Sequence, residues 1–162
     1  MLKSARSSPL LQPSLLGIAK FAHLLNLDLI GPLLLLLESV FADIEVPIHL
    51  RLKAGRSACT ILSGQGEDLL VDPKHLYQNT YKLMANISVE PEEGTSDPWP
   101  ILLDLLYALL IDRKNHLSNG RVNAFLHRII TSACRIQKIK GEQAAFVLPL
   151  LLVARQMVLH HR

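Results

Sequence analysis

The five leucines at residues 33–37 lie in a segment that would be apolar on nearly every side of a helix. A helix of that kind needs neighbours on more than one side to bury its side chains. Leucine packs well in helices, whereas the residues that favour strands are scarce, and aromatic residues make up only 5% of the chain. The sequence therefore predicts an all-α fold with helices packed on several sides.

Hydrophobic spacing and helix-breaking residues divide the 162 residues into about seven amphipathic helices. Short connections make successive helices antiparallel neighbours. We expect hairpins of this kind to stack as a HEAT- or armadillo-like α-solenoid segment over residues 1–162, and a closed helical bundle is the alternative. Pro149 is expected to kink or delay the last helix. The predicted helices cover residues 10–25, 28–41, 47–62, 72–87, 99–111, 118–137 and 142–159.

The Ser-Gly-Gln-Gly stretch at 63–66 raises the question of a phosphate-binding loop. Such a loop follows a strand and usually supplies a lysine, but here a predicted helix precedes it and two carboxylates follow at 67 and 68. We interpret the stretch as a corner in which Gly64 or Gly66 takes the left-handed conformation that ends a helix.

Two further segments interrupt the helices. Asp72 and Pro73 have the residue types of a helix cap and a first helical position, so they predict the start of the fourth helix. Residues 88–98 contain four carboxylates, two prolines and a glycine, which predicts an acidic, solvated loop. Trp99, directly after this loop, is interpreted as an anchor at the start of the next helix.

The corner also carries a family resemblance. The segment ILSGQGEDLLVDPKHLYQNTYKLM resembles a signature of the nucleolar complex-associated protein 3 family, in which SGQG ends a helix, a DP pair starts the next and a YxxxYK-like helix follows. The leucine-rich helix pair upstream and LSNGRVNAFLHRI downstream resemble the same family in the same order, so that the resemblance covers about residues 8–160. The signature residues, to which a structural role is assigned, are Ser63, Gly64, Gln65, Gly66, Asp72, Pro73, Tyr77 and Tyr81.

The resemblance implies a function that neither composition nor spacing shows. It implies a non-catalytic scaffold segment of a nucleolar factor for large ribosomal subunit assembly, located in the nucleus and nucleolus. The implied partners are a sister nucleolar complex protein in a heterodimer, the pre-ribosomal particle with its RNA, and, from a family link to replication initiation, proteins of origin chromatin. Family members are several times longer, so we expect the chain to be part of such a protein. The acidic loop departs from the family's usual connection.

The residues themselves offer one candidate functional feature, which is basic. Between residues 113 and 140 there are seven lysines and arginines and no acid. Arg121, Arg128 and Arg135 are seven residues apart, and on a helix that spacing forms a nearly straight row. With Lys138 they are candidate contacts to RNA phosphates or to an acidic partner, if the apolar face beside them packs and holds them outward. The alternative is a solvated face without a partner.

Other functional classes find little support. The seven histidines have no metal-ligand spacing, and Cys59 and Cys134 lie far apart in the sequence. We therefore expect no enzyme, no metal and no cofactor. The apolar runs are shorter than the roughly 20 residues that cross a membrane. Two alternatives stay open: a protein-binding α-solenoid without a nucleic-acid role, and a mitochondrial or membrane-associated helical protein, suggested by the basic N-terminus and the leucine content.

Overall fold

The computed structural model describes residues 10–21, 24, 26–64, 73–86, 97–112, 117–137 and 145–160. Within these ranges the regular elements are helical and no strand occurs, which confirms the all-α fold class. The chain divides into two compact units, Met1–Leu76 and Tyr77–Arg162, and their boundary falls within a helix. The choice between a solenoid and a closed bundle stays a prediction, as does a single repeat region over the whole chain.

Seven α-helices lie in the described part of the chain. The expected bounds of the second, third and sixth are within a residue of those observed. Residues 22, 23, 25 and 142–144 of the predicted first and seventh helices lie outside the described residues. The helices are α1 Leu11–Phe21, α2 Leu27–Ala42, α3 Ile48–Ser63, α4 Lys74–Asn86, α5 Trp99–Tyr107, α6 Asn119–Gln137 and α7 Val147–His160.

The central helix of the first unit is α3, because α1 and α2 both pack against it. Its buried residues include Ala54, Gly55, Ser57 and Ala58, whose small side chains let two other helices approach. The hydroxyl of Ser57 lies 3.3 Å from the Leu15 carbonyl of α1 and 2.9 Å from a carbonyl in its own helix. A small polar residue is therefore satisfied inside this packing, at little cost.

The leucine-rich helix α2 buries one stripe and exposes another. Ile30 and Phe41 are fully buried, while Leu29, Leu35 and Leu36 are each more than half exposed. Arg51 of α3 donates from Nε to the carbonyl of Phe41 at 3.0 Å. This hydrogen bond holds the C-terminal end of α2 against α3. The expectation that this helix packs on several sides is not confirmed, because within the described residues α3 is the only helix with an extensive contact to it.

The corner after α3 differs from the expectation in its backbone. Gly64 ends the helix with φ −101° and an N–H bond to the Ile61 carbonyl at 3.2 Å. Gly64 is therefore not a left-handed residue, because a tighter bond three residues back closes the last turn without a positive φ. The other residue named for that conformation, Gly66, stays a prediction. Gln65, Gly66 and Asp72 lie outside the described residues, as does the acidic loop up to residue 96. The helix α4 begins one residue after the buried Pro73.

The second unit is organised by contacts of α7 with α6 and with α5. The helix α5 continues as a π-helical segment, Ala108–Asp112, whose first four residues are buried. Trp99, at the start of α5, is 1% exposed, and its ring stacks on Phe146 just before α7 at 6.3 Å between centroids. The interpretation of Trp99 as an anchor is consistent with this burial. Pro149 is the third residue of α7, a position in the first turn where its missing N–H is tolerated.

None of the described helices combines the length and the hydropathy that crossing a bilayer requires.

The small-residue packing of α3 can be tested at Ala58, which is 1% exposed. Ala58→Leu adds three carbon atoms where neighbouring helices leave no room, so we expect the free energy of unfolding in urea to fall by about 1–3 kcal/mol. Ala42→Leu, at the exposed end of α2, is the matched control and should change little. Equal stability of the two variants would show that α3 is not packed on both sides.

Candidate functional site

The surface that bears the predicted arginine row is built between α4 and α6. Phe125 of α6 places its ring edge-to-face against Tyr77 at 6.2 Å and against Tyr81 at 5.7 Å between centroids. Edge-to-face contacts of this kind add about 0.5–1.5 kcal/mol beyond the burial of area. Phe125 and Tyr77 are buried and Tyr81 is half-buried. The aromatic rings therefore fix α4 beside α6.

Two of the predicted arginines lie on these tyrosine rings. The guanidinium carbon of Arg121 is 4.8 Å from the centroid of Tyr77, and that of Arg128 is 4.1 Å from the centroid of Tyr81. Both distances are well inside the roughly 6 Å within which a cation is attracted to a ring face. We call Tyr77, Tyr81, Arg121, Phe125 and Arg128 together the tyrosine–arginine layer.

The third arginine of the row reaches the end of α4. Arg135 is exposed and donates from one terminal nitrogen to the carbonyl of Ala85 at 2.8 Å. Lys138, the fourth residue predicted with them, lies outside the described residues. The expected orientation of the row therefore needs correction: Arg121 and Arg128 are half-buried against α4, because flat guanidinium groups gain more from ring faces than from open water. Their contact with RNA stays a prediction.

The sequence spacing explains how the two helices match. The contacted residues of α4 are four apart and those of α6 are seven apart, which correspond to rises of about 6 Å and about 10.5 Å. Pairs that ascend together, Arg121 with Tyr77 and Arg128 with Tyr81, show that α4 and α6 run in the same direction. The unequal steps are bridged by the length of arginine, whose stem can lean along the helix.

Tyr77 also contacts the π-helical segment through its hydroxyl. The phenol oxygen lies 3.4 Å from the carbonyl of Leu109, and both groups are buried. A π-helical turn disrupts the regular bonding of the helix and leaves carbonyls to be satisfied from outside. One tyrosine therefore carries an arginine on its ring and supplies a long hydrogen bond with its hydroxyl.

The lysine and arginine side chains of α4 and α6 are not accompanied by acids within these two helices. The sequences of α4 and α6 contain two lysines and three arginines and neither aspartate nor glutamate. A ring face attracts a cation without cancelling its charge, in contrast to a carboxylate. The Nε of Arg128 is shielded from solvent and has no hydrogen-bond acceptor among the described residues. The attraction of the Tyr81 ring therefore offsets the water that this group has lost.

Titratable groups elsewhere show shifts caused mainly by burial. Partial burial raises the pKa of Glu38, and His75 opposes that shift. Burial and then the charge of Lys53 lower the pKa of His49. Burial lowers the pKa of Arg51 as well, against the attraction of Asp43. Within the described ranges, His, Cys, Asp and Glu form no group of three that could hold a metal.

Sequence reasoning identified the arginines but missed what holds them. Tyr77 and Tyr81 were assigned a structural role only as part of the corner signature. The overlooked signal was a pair of patterns: two tyrosines four apart on α4, and on α6 an arginine, a phenylalanine and an arginine separated by four and three residues. Neither pattern is specific alone, because only the fold shows that the two helices lie side by side.

Three relatives illustrate what the chain is similar to. Nucleolar complex protein 3 homologs from Homo sapiens and Mus musculus are 36% identical over 140 residues and 35% identical over 136 residues. Nucleolar complex protein 3 from Drosophila melanogaster is 33% identical over 137 residues. Each match covers 84% of this chain but only 16–17% of the relative. No protein-family model matches the chain.

These matches show which class of protein the chain belongs to. It is an all-α segment of a nucleolar factor. More particularly, it belongs to the nucleolar complex protein 3 family and corresponds to about a sixth of the length of the relatives it matches. The resemblance drawn from the corner signature is thereby confirmed, and so is the nucleolar and nuclear localisation. The mitochondrial or membrane-associated alternative is set aside.

The contact of Arg128 with Tyr81 predicts a measurable effect on stability. Arg128→Gln removes a half-buried cation from a ring 4.1 Å away, and we expect the free energy of unfolding to fall by about 0.5–2 kcal/mol. Arg155→Gln, at an exposed position of α7, removes the same charge and should leave the urea midpoint unchanged. If the unfolding curves of the two variants coincide, the stabilising role of the tyrosine–arginine layer is contradicted.

Proposed function

We propose that the chain is a non-catalytic scaffold segment that acts in the assembly of the large ribosomal subunit. In this proposal it works within a heterodimer with a sister nucleolar complex protein, on the pre-ribosomal particle. Membership of the nucleolar complex protein 3 family supports this role.

The observation that carries the proposal is the basic edge along α4 and α6. Five basic side chains and no acidic ones lie in these two helices, and two of the arginines are fixed on rings. A guanidinium fixed in this way meets a phosphate oxygen with less loss of side-chain freedom than a mobile one. We therefore propose that this edge contacts the phosphate backbone of pre-ribosomal RNA, without reading bases.

The test measures how binding to RNA depends on salt. The chain is titrated onto a labelled, structured RNA hairpin at several salt concentrations. The variant Arg121→Gln, Arg128→Gln, Arg135→Gln removes three charges from the edge. If each meets one phosphate, the slope of log affinity against log salt should become shallower by roughly 2–3. The measurement is made well below the melting temperature of the variant, because Arg128→Gln lowers stability.

The matched control removes three charges elsewhere, through Lys20→Gln, Lys53→Gln and Arg155→Gln. We expect this control to keep the salt slope of the unmodified chain. An equal loss of slope in both variants would mean that only net charge matters. If the arginine variant keeps its RNA binding but loses a nucleolar protein partner that the unmodified chain retains after RNase treatment, the edge serves an acidic protein instead, and the RNA proposal fails.

A further inference from the structure

We infer that Tyr81 is a positioning residue for the phosphate-binding edge, and that it acts by holding the guanidinium of Arg128 flat against its ring. This inference rests on the proposed RNA contact. It adds that affinity depends on where the charge is held as well as on how much charge is present. The observation behind it is the position of Arg128 over the Tyr81 ring, 4.1 Å from guanidinium carbon to ring centroid, with both side chains half-buried.

Among the described residues, the Tyr81 ring is the source of attraction that the structure shows for Arg128. Neither α4 nor α6 contains a carboxylate, and the Nε of Arg128 finds no acceptor in the described ranges. An arginine side chain without such a contact would move toward water, where it loses less hydration and regains its rotamer freedom. Removal of the ring should therefore release Arg128 from its position while leaving its charge on the protein.

The ring of Tyr81 is itself held from the opposite helix. Phe125, three residues before Arg128 on α6, meets Tyr81 edge-to-face at 85° between ring planes. One helix thus supplies both the aromatic edge that orients the tyrosine and the cation that the tyrosine receives. The phenol hydroxyl of Tyr81 has no part in this arrangement, so a phenylalanine at the same position should serve nearly as well.

A stacked guanidinium suits a phosphate for a geometric reason. The ring lies against one face of the planar group, and the two terminal nitrogens, which unlike Nε are not shielded, can donate to phosphate oxygens. Lysine would carry the same charge but has neither the plane nor the fork. The partner selected by this arrangement is a phosphodiester backbone, and the charge complementarity of an edge without acids favours it.

The experiment compares variants that separate charge from position, with the complete chain and a labelled RNA hairpin of mixed sequence. Tyr81→Leu and Arg128→Lys both keep every charge of the edge. We expect each to weaken binding by roughly 2- to 30-fold at fixed salt, with an unchanged salt slope. Arg128→Gln should instead make the slope shallower by about 0.7–0.9. Tyr81→Phe should bind like the unmodified chain.

Tyr107→Leu is the matched control, since this tyrosine is 44% exposed on α5 and outside the layer. The positioning role would be overturned if Tyr81→Leu and Arg128→Lys bind RNA with the same affinity as Tyr107→Leu. This holds even if Arg128→Gln still changes the salt slope. No change of slope in Arg128→Gln would instead overturn the contact of Arg128 with RNA. If Tyr81→Leu does not fold, Arg128→Lys against Tyr81→Phe decides the question, because both keep a side chain of nearly native size.

Discussion

In the second unit, the contact of a cation with an aromatic ring determines how α4 packs beside α6. These helices have no acid with which their own arginines could form ion pairs. Phe125 orders the two tyrosines, and the tyrosines receive Arg121 and Arg128. This arrangement stabilises the helix pair and keeps its positive charge, so a structural contact and a binding surface can share the same residues.

The two compact units use different means of bringing helices together. In the first unit, α3 carries alanine, glycine and serine where α1 and α2 approach, and close backbone contact follows from small side chains. In the second unit, large side chains span the distance between α4 and α6. Small residues allow dense packing of the helices, while large side chains fix the orientation of charged groups that can contact a ligand. The second arrangement places cations on aromatic rings.

Much of the fold could be predicted because leucine spacing and proline positions are local properties. The start of α6 at Asn119 and the place of Pro149 in the first turn of α7 follow from capping and first-turn rules. The conformation of Gly64 could not be predicted, since glycine is compatible with several ways of ending a helix. The orientation of Arg128 was also beyond the sequence, because it depends on Tyr81, 47 positions earlier, on a helix that no periodicity places beside α6.

The separation along the chain of the residues in the α4–α6 contact has a consequence for the order in which the protein folds. Arg135 and the Ala85 carbonyl are 50 positions apart, with α5 between them, whereas α2 and α3 follow one another directly. Closing the longer loop costs more chain entropy, and this cost arises before the contacts form that offset it. We therefore expect α2 and α3 to associate early and the α4–α6 contact to close late, and pulsed amide exchange during refolding would reveal the opposite order. If the proposed RNA contact holds, an edge that is completed last is presented to RNA only by chains whose second unit has already folded.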